Sequence, residues 1–153
     1  MGPKQGDLRS GEPLRPHPDL RAGFIHMAPA NACAKGTVLF QQGEESKGVF
    51  LLVEGKARLS LIVQHRRRVP FRVVGPGYLL GLPSAILGTP FIYSAELLED
   101  SKIVFVERDR LLHFLRSHTD LCFDVVRLLG MELREMPGTA IRHAARRKRG
   151  KIG

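Results

Sequence analysis

Between Lys35 and Val106 the sequence repeats one pattern, in which short apolar runs rich in β-branched and aromatic residues are separated by turns that contain glycine. Part of the run at 57–63 alternates as a half-buried strand does. Many short strands joined by tight turns are typical of an all-β roll or barrel. The predicted strands and apolar runs are 37–40, 49–53, 57–63, 69–74, 78–80, 93–98 and 102–106.

Two interruptions refine this pattern. The polar, basic stretch 64–68 is typical of a hairpin tip, and the strand that returns from it contains Pro70. Because proline cannot donate a hydrogen bond to a neighbouring strand, we expect an edge strand or a bulge there. Residues 83–87 have proline at the start and Gly88 after the end, which predicts one short helix.

The C-terminal part changes to helical spacing. Residues 108–115 form a short predicted helix, and a longer one follows, with Thr119 or Asp120 as its N-cap and Pro137-Gly138 at its end. One stripe recurs at three- and four-residue spacing along the longer helix. Its members are Leu121, Val125, Leu128, Leu129, Glu132, Leu133 and Met136. The stripe must cover either its own roll or another subunit, and both assignments are open. Gly130 is costly inside a helix, which favours a close helix approach.

Length and composition fit one cytoplasmic domain. The chain has 153 residues, 43% of them hydrophobic and 25% charged, a balance that can bury one core. No run is long enough to span a membrane, and the N-terminus lacks the apolar stretch of a signal peptide. Cys33 and Cys122 are too few for a disulfide framework or a four-cysteine iron–sulfur site.

The two ends differ from the middle. Residues 1–20 are rich in proline and glycine and predict a disordered leader. Residues 137–153 form a basic tail that carries much of the net charge of +9. Such a tail either binds nucleic acid without sequence preference, through counterion release, or is simply solvated. The predicted divisions are therefore a leader at 1–20, a β-roll at 21–117, an amphipathic helix at 118–136 and a tail at 137–153.

Residues 35–136 resemble the sensor half of the cyclic-nucleotide-binding Crp/Fnr regulators. The motifs that carry the resemblance are KGTVLF at 35–40 with GE at 43–44, GVFLLVEG at 48–55 and VGPGYLLG at 74–81. The resemblance implies a mainly β fold, a jelly-roll β-roll with short flanking helices, and a longer C-terminal helix that pairs two subunits. On that helix the dimer contacts would be Leu121, Val125, Leu128, Leu129 and Met136.

The resemblance also implies a ligand pocket, from which two charged groups are missing. In nucleotide-binding members a glutamate holds the ribose and an arginine pairs with the phosphate, but here Leu82 and Tyr93 stand at those positions. Their loss removes two charge-assisted bonds, so we expect a degenerate, closed apolar pocket that disfavours a cyclic nucleotide. The alternative is residual anion binding at the amides near Ser84, with Arg58 or Arg72 as a distant substitute cation. The predicted pocket residues are Leu80, Gly81, Leu82, Pro83, Ser84, Ala85, Tyr93, Ser94 and Ala95.

These observations favour a dimeric regulatory sensor module of Crp/Fnr type that binds a protein partner or an unidentified small ligand. Only 16 residues follow Pro137, so we expect no helix-turn-helix domain of its own. The alternative is a nonspecific nucleic-acid-associated protein that uses the basic tail. No cofactor, metal site or enzymatic activity is predicted, since the sequence shows no nucleophile–base pair, metal-ligand spacing or dinucleotide motif. His65, His113 and His118 show no haem-ligand pattern.

Overall fold

The computed structural model describes residues 18–136, which form two antiparallel four-stranded sheets with helices against one of them. The strands are β1 Ala30–Cys33, β2 Val38–Phe40, β3 Gly48–Glu54, β4 Ala57–Val63, β5 Arg67–Val74, β6 Leu79–Leu80, β7 Ser94–Leu97 and β8 Ser101–Glu107. The helices are α1 Pro18–Met27, α2 Leu82–Leu87, α3 Arg108–Ser117 and α4 Thr119–Glu135. The prediction of a mainly β jelly roll with a longer C-terminal helix is confirmed.

The two sheets enclose the first of two apolar cores. One sheet has the strand order β1-β8-β3-β6 and the other β2-β7-β4-β5. Large side chains from both fill the space between them, among them Phe40, Leu52, Leu59 and Tyr93, each at most 3% exposed. Because successive side chains of a strand point to opposite faces, one set of positions on each strand supplies this core.

The second core lies on the outer face of the first sheet. Val49 and Leu51 of β3 pack there with residues from the helices, including Leu20 and Phe24 of α1 and Leu111 of α3. This strand is therefore buried on both faces, which explains the continuous apolar run at 49–53. Leu121 and Val125 of α4 belong to the same core and are each 4% exposed, so that face of α4 covers its own roll.

Pro70 lies where the sequence predicted. Strand β5 is at the edge of its sheet. The register shifts between Leu59, which faces Arg72, and Ser60, which faces Pro70, so Phe71 is the extra residue of a bulge. Both the edge position and the irregularity are confirmed.

Two elements near the N-terminus were not predicted. Helix α1 begins at Pro18, so the last three residues of the predicted leader are helical, and Leu20 is fully buried. Proline is compatible with the first turn of a helix, but the proline- and glycine-rich composition of residues 1–20 predicted a disordered leader instead. Strand β1 has the sequence ANAC, which is a weak strand former, and its pairing with β8 accounts for it. The rest of the leader and the tail lie outside the described residues.

The predicted N-cap of α4 is also wrong. His118 occupies the cap position and the helix begins at Thr119, with no side-chain hydrogen bond at the cap. The helix starts one residue earlier because His118 also ends α3, where its amide donates to the carbonyl of Leu115. The two helices therefore share a single residue as their junction.

Gly55 connects β3 to β4 with a backbone conformation that favours glycine, at φ +112°. An added Cβ would overlap the Ser101 hydroxyl and approach Ser101 Cα to 3.0 Å. At Gly36, where φ is +89°, an added Cβ meets nothing within 4 Å.

We expect Gly55→Ala to lower the free energy of unfolding by about 3 kcal/mol, since backbone strain and a steric clash act together. The matched control is Gly36→Ala, which introduces only strain and is expected to cost about 1 kcal/mol. Urea unfolding followed by circular dichroism measures both values. Equal losses in the two variants would contradict the close packing of Ser101 against Gly55.

Candidate functional site: the contact between the roll and helix α4

The short helix α2 begins after Gly81 and ends at Gly88, and both glycines have positive φ, at 83° and 71°. A Cβ on Gly81 would lie 2.7 Å from the ring of Phe91, so this position favours glycine for conformation and for space. The Ser84 hydroxyl donates to the carbonyl of Pro90 at 3.0 Å, which ties the helix to the following loop. The sequence predicted this helix from Pro83, one residue late.

Tyr93 links α2 to α4. Its side chain is 1% exposed, and its hydroxyl oxygen accepts a hydrogen bond from the Gly81 amide at 2.9 Å. The same hydroxyl donates to Oε1 of Glu132 at 2.6 Å. A single buried phenol thus joins the turn before the short helix to the C-terminal helix. It also supplies a hydrogen-bond acceptor for the buried Gly81 amide.

Glu132 is a carboxyl group buried at this contact, with 7% of its surface exposed. Burial raises the pKa of Glu132 to about 7, because the charged form is poorly solvated there. Hydrogen bonds from Tyr93 and Tyr78 and the positive charge of Arg72 act in the opposite direction. Near neutral pH the Glu132 carboxyl is therefore divided between its protonated and ionised forms.

The two tyrosines remain neutral donors. Burial, followed by the negative charge of Glu132, raises the pKa of both Tyr93 and Tyr78 well above the usual value. The Tyr78 hydroxyl lies 3.5 Å from Oε1 of Glu132, a longer and weaker contact than that of Tyr93. Tyr93 is therefore the principal hydrogen-bond partner of this carboxyl group.

Arg72, one of the two distant substitutes that the sequence suggested, lies beside this cluster. Its guanidinium carbon lies 5.9 Å from the centre of the Tyr78 ring, within the range of a cation–π contact. Arg58, the other candidate, pairs with Glu96 at 3.2 Å on a partly exposed surface. Of the two, Arg72 is the one whose charge acts on Glu132.

Little space remains at this contact. A cavity of about 10 Å³ is lined by Tyr78, Leu79, Leu82, Leu128 and Glu132. That volume is at most about one water molecule. This cavity therefore has no room for a small-molecule ligand in the conformation that the structure describes.

The predicted pocket residues fall into two groups. The first group lies in or beside α2 and consists of the buried Gly81, Leu82, Ser84 and Ala85 and the half-buried Pro83. Tyr93 contacts this group through its hydrogen bond with the Gly81 amide. Leu80 and Ala95 instead pack in the core between the sheets. The buried Ser94 hydroxyl accepts a bond from the Gln42 amide at 2.9 Å, so these three residues support the fold.

Sequence reasoning missed the polar partners of Tyr93. Glu132 was recognised only as a member of the helical stripe, and Tyr78 only as part of an apolar run. A carboxylate in the middle of an apolar stripe is the signal that could have identified it, because such a group needs a buried partner.

The opposite face of α4 is exposed and apolar. Phe123, Val126 and Leu133 are 69%, 61% and 58% exposed. An apolar groove of about 440 Å³ runs beside this face between α2, α3 and α4. It is lined by Ile86, Leu112, Leu115, Arg116, Thr119, Cys122, Val125, Val126 and Leu129. Of the predicted dimer contacts, Leu128, Leu129 and Met136 are half-buried.

Within residues 18–136, no three His, Cys, Asp or Glu side chains are grouped so that they could hold a metal ion. Cys33 and Cys122 are free thiols. No helix among the described residues is long and apolar enough to cross a membrane.

Two stacked antiparallel sheets with a short helix after β6 and a longer C-terminal helix define a jelly-roll β-domain. The family model for the cyclic nucleotide-binding domain matches residues 31–118. The chain belongs to this family, and the resemblance to Crp/Fnr regulators is confirmed. No curated protein matches the chain.

Solved structures share the fold. The catabolite activator protein of Thermus thermophilus is 24% identical with a TM-score of 0.70, and the match covers 78% of this chain and 56% of that one. The N-terminal domain of a transcriptional regulator from Streptomyces coelicolor A3(2) is 24% identical with a TM-score of 0.59, covering 76% and 78%. Oxidized CprK, in complex with o-chlorophenolacetic acid, is 22% identical with a TM-score of 0.64, covering 80% and 50%.

The chain thus spans about half the length of the catabolite activator protein that it matches. The fold also occurs in the EAL enzyme Bd1971, at 19% identity and a TM-score of 0.54. These likenesses are to domains of regulatory proteins for the most part, and they establish the architecture of the roll.

We expect Tyr93→Phe to lower the free energy of unfolding by about 1–3 kcal/mol, because it leaves the Gly81 amide and Glu132 without their buried partner. Tyr78→Phe is the matched control and should cost less than about 1 kcal/mol, since its hydroxyl makes only a long contact. Urea unfolding at pH 6 measures both. A larger loss in Tyr78→Phe than in Tyr93→Phe would contradict the assigned hydrogen bonds.

Proposed function

We propose that the chain is a non-enzymatic regulatory sensor module of Crp/Fnr type whose nucleotide pocket is closed by its own side chains and which dimerises through α4. The observation that carries the proposal is the contact of Glu132 with Tyr93, which places a carboxyl group of the C-terminal helix against the short helix of the pocket.

Four features disfavour a cyclic nucleotide in this pocket. Leu82 and Tyr93 stand where the family resemblance calls for charged ligand contacts. The Gly81 amide is already used by Tyr93. In its ionised form Glu132 would also repel a cyclic phosphate, and the cavity of about 10 Å³ is far below the roughly 300 Å³ of a small-molecule site.

The outer face of α4 fits a second copy of the chain. Phe123, Val126, Gly130 and Leu133 follow one another at spacings of three, four and three residues, which is the repeat of a helix that pairs along one seam. A Cβ added to Gly130 would meet nothing within 4 Å, so a partner helix could approach closely there. In this arrangement Leu121 and Val125 hold α4 on the roll and the exposed residues meet the partner.

The regulatory role follows from the class of protein. In such a module the position of α4 relative to the roll would carry the signal to a partner protein. The alternative, nonspecific nucleic-acid binding by the basic tail, rests on residues 137–153, outside the described part of the chain.

Titration with cyclic AMP and cyclic GMP tests the pocket. We expect no heat of binding by calorimetry up to millimolar ligand, in moderate salt so that the basic tail does not attract the phosphate. Micromolar binding of either nucleotide would contradict the closed pocket, since the site would then have to open and supply a cation in place of the missing arginine.

Sedimentation of an α4 variant tests the dimer. We expect the wild-type chain to sediment as a dimer at tens of micromolar, and Val126→Glu to raise the dissociation constant by at least about tenfold, because two charges would face each other at the seam. The matched control is Leu87→Glu, at a side chain that is 71% exposed on α2. A monomeric wild type, or an equal effect of the two variants, would contradict the proposal.

A further inference from the structure

Among the side chains of α4 that the structure describes, Glu132 is the one that combines burial with a carboxyl group whose pKa is near neutrality. Three of its four neighbours at three and four residues along the chain, Leu128, Leu129 and Met136, are apolar, and the fourth is Glu135. The described side chains at this end of α4 therefore contact the roll through the apolar Leu128, Leu129 and Met136 and through the Glu132 carboxyl group, whose protonation changes the free energy of the contact.

The surroundings of this carboxyl group distinguish its two forms. Tyr93, which precedes β7, and Tyr78, which precedes β6, both face it as donors, and Arg72 of β5 acts on it as a positive charge. The remaining residues around the cavity, Leu79, Leu82 and Leu128, offer no hydrogen bond to a carboxylate from their side chains. Hydrogen bonds from the two tyrosines and the charge of Arg72 stabilise the ionised form in part, but the loss of solvation on burial outweighs them.

We propose that Glu132 is a pH-dependent latch that holds the last two turns of α4 against the roll when protonated and releases them when ionised. The latch goes beyond the sensor proposal, since it acts within one chain and requires neither a nucleotide nor a dimer. Its geometric basis is the chain of hydrogen bonds from the Gly81 amide through the Tyr93 hydroxyl to Glu132.

The direction of the effect follows from the two pKa values. In the docked state the pKa of Glu132 is raised to about 7, whereas a released, solvated side chain has its ordinary pKa of 4.5. Between these values the released form has lost its proton while the docked form keeps it, so raising the pH favours release. Below 4.5 and above about 7 the two forms carry the same charge, and the equilibrium no longer depends on pH.

The latch would couple two surfaces of one helix. Because α4 carries Glu132 on one face and the exposed Phe123, Val126 and Leu133 on another, release of its last turns would also move Leu133. A rise of pH from about 5 to 7 would therefore reach the outer face of the helix and open the closed pocket at the same time.

Hydrogen exchange followed by mass spectrometry tests the latch. Peptides covering 128–135 are measured between pH 5 and 8, with each rate corrected for the intrinsic pH dependence of exchange. In the wild type we expect the protection factor to fall by up to about tenfold for each pH unit between 5 and 7 and then to level off. In Glu132→Gln, which stays uncharged, it should be independent of pH.

Two controls make the result specific. Asp120→Asn, an exposed carboxylate on the same helix, should retain the wild-type profile. Peptides from β4 should stay protected throughout, since only the end of α4 is released. The measurement is repeated in Val126→Glu, in which the proposed dimer contact is weakened. A dimer therefore cannot hide the release of α4, and failure of the dimer proposal can be distinguished from failure of the latch.

A protection factor at 128–135 that is flat with pH in the wild type would overturn the latch. So would an equal fall in Glu132→Gln, or a matching loss in β4 peptides, which would indicate unfolding of the whole domain. The wild-type profile and its β4 reference decide the question even if Glu132→Gln does not fold.

Discussion

The hydroxyl of Tyr93 is the contact on which the arrangement of this pocket depends. It is buried between two groups that both need a partner, the Gly81 amide and the Glu132 carboxyl. A buried polar group without a partner costs about 1–3 kcal/mol, so removing this phenol affects both ends of the chain of bonds at once. The roll, the short helix α2 and the long helix α4 therefore hold their relative positions through one side chain as well as through apolar packing.

The apolar part of the same contact explains why a carboxyl group is tolerated there. Leu121 and Val125 anchor the first half of α4 in the outer core, and this part of the helix needs no polar contact. Glu132 follows two turns later, where the core gives way to the tyrosines. Because the helix is already fixed at one end, burying the Glu132 carboxyl group costs less than it would on a free segment. The hydrogen bond from Tyr93 offsets part of the desolvation cost that is left.

The sequence was a good guide to local structure and a poor one to long-range polar contacts. Glycine turns and apolar runs are local signals, and they identified the strands from β2 to β8 and the bulge at Pro70. Strand β1 and helix α1 depend on pairing and packing with distant residues, such as β8 and the outer core, and their composition gave no comparable signal. The partners Tyr93 and Glu132 are 39 residues apart, and no spacing rule relates them.

The position of Tyr93 shows how a missing ligand contact can acquire another role. The family resemblance predicts a cation there, and from sequence alone its replacement indicates only a lost interaction. In the fold the phenol reaches the turn before α2, where its oxygen accepts a hydrogen bond from the Gly81 amide, and its O–H group donates a hydrogen bond to Glu132. A neutral donor can serve a carboxyl group in both of its forms, whereas an arginine would fix it as the anion. With tyrosine in place of arginine at position 93, the Glu132 carboxyl group can therefore change its protonation state while it is in contact with the roll.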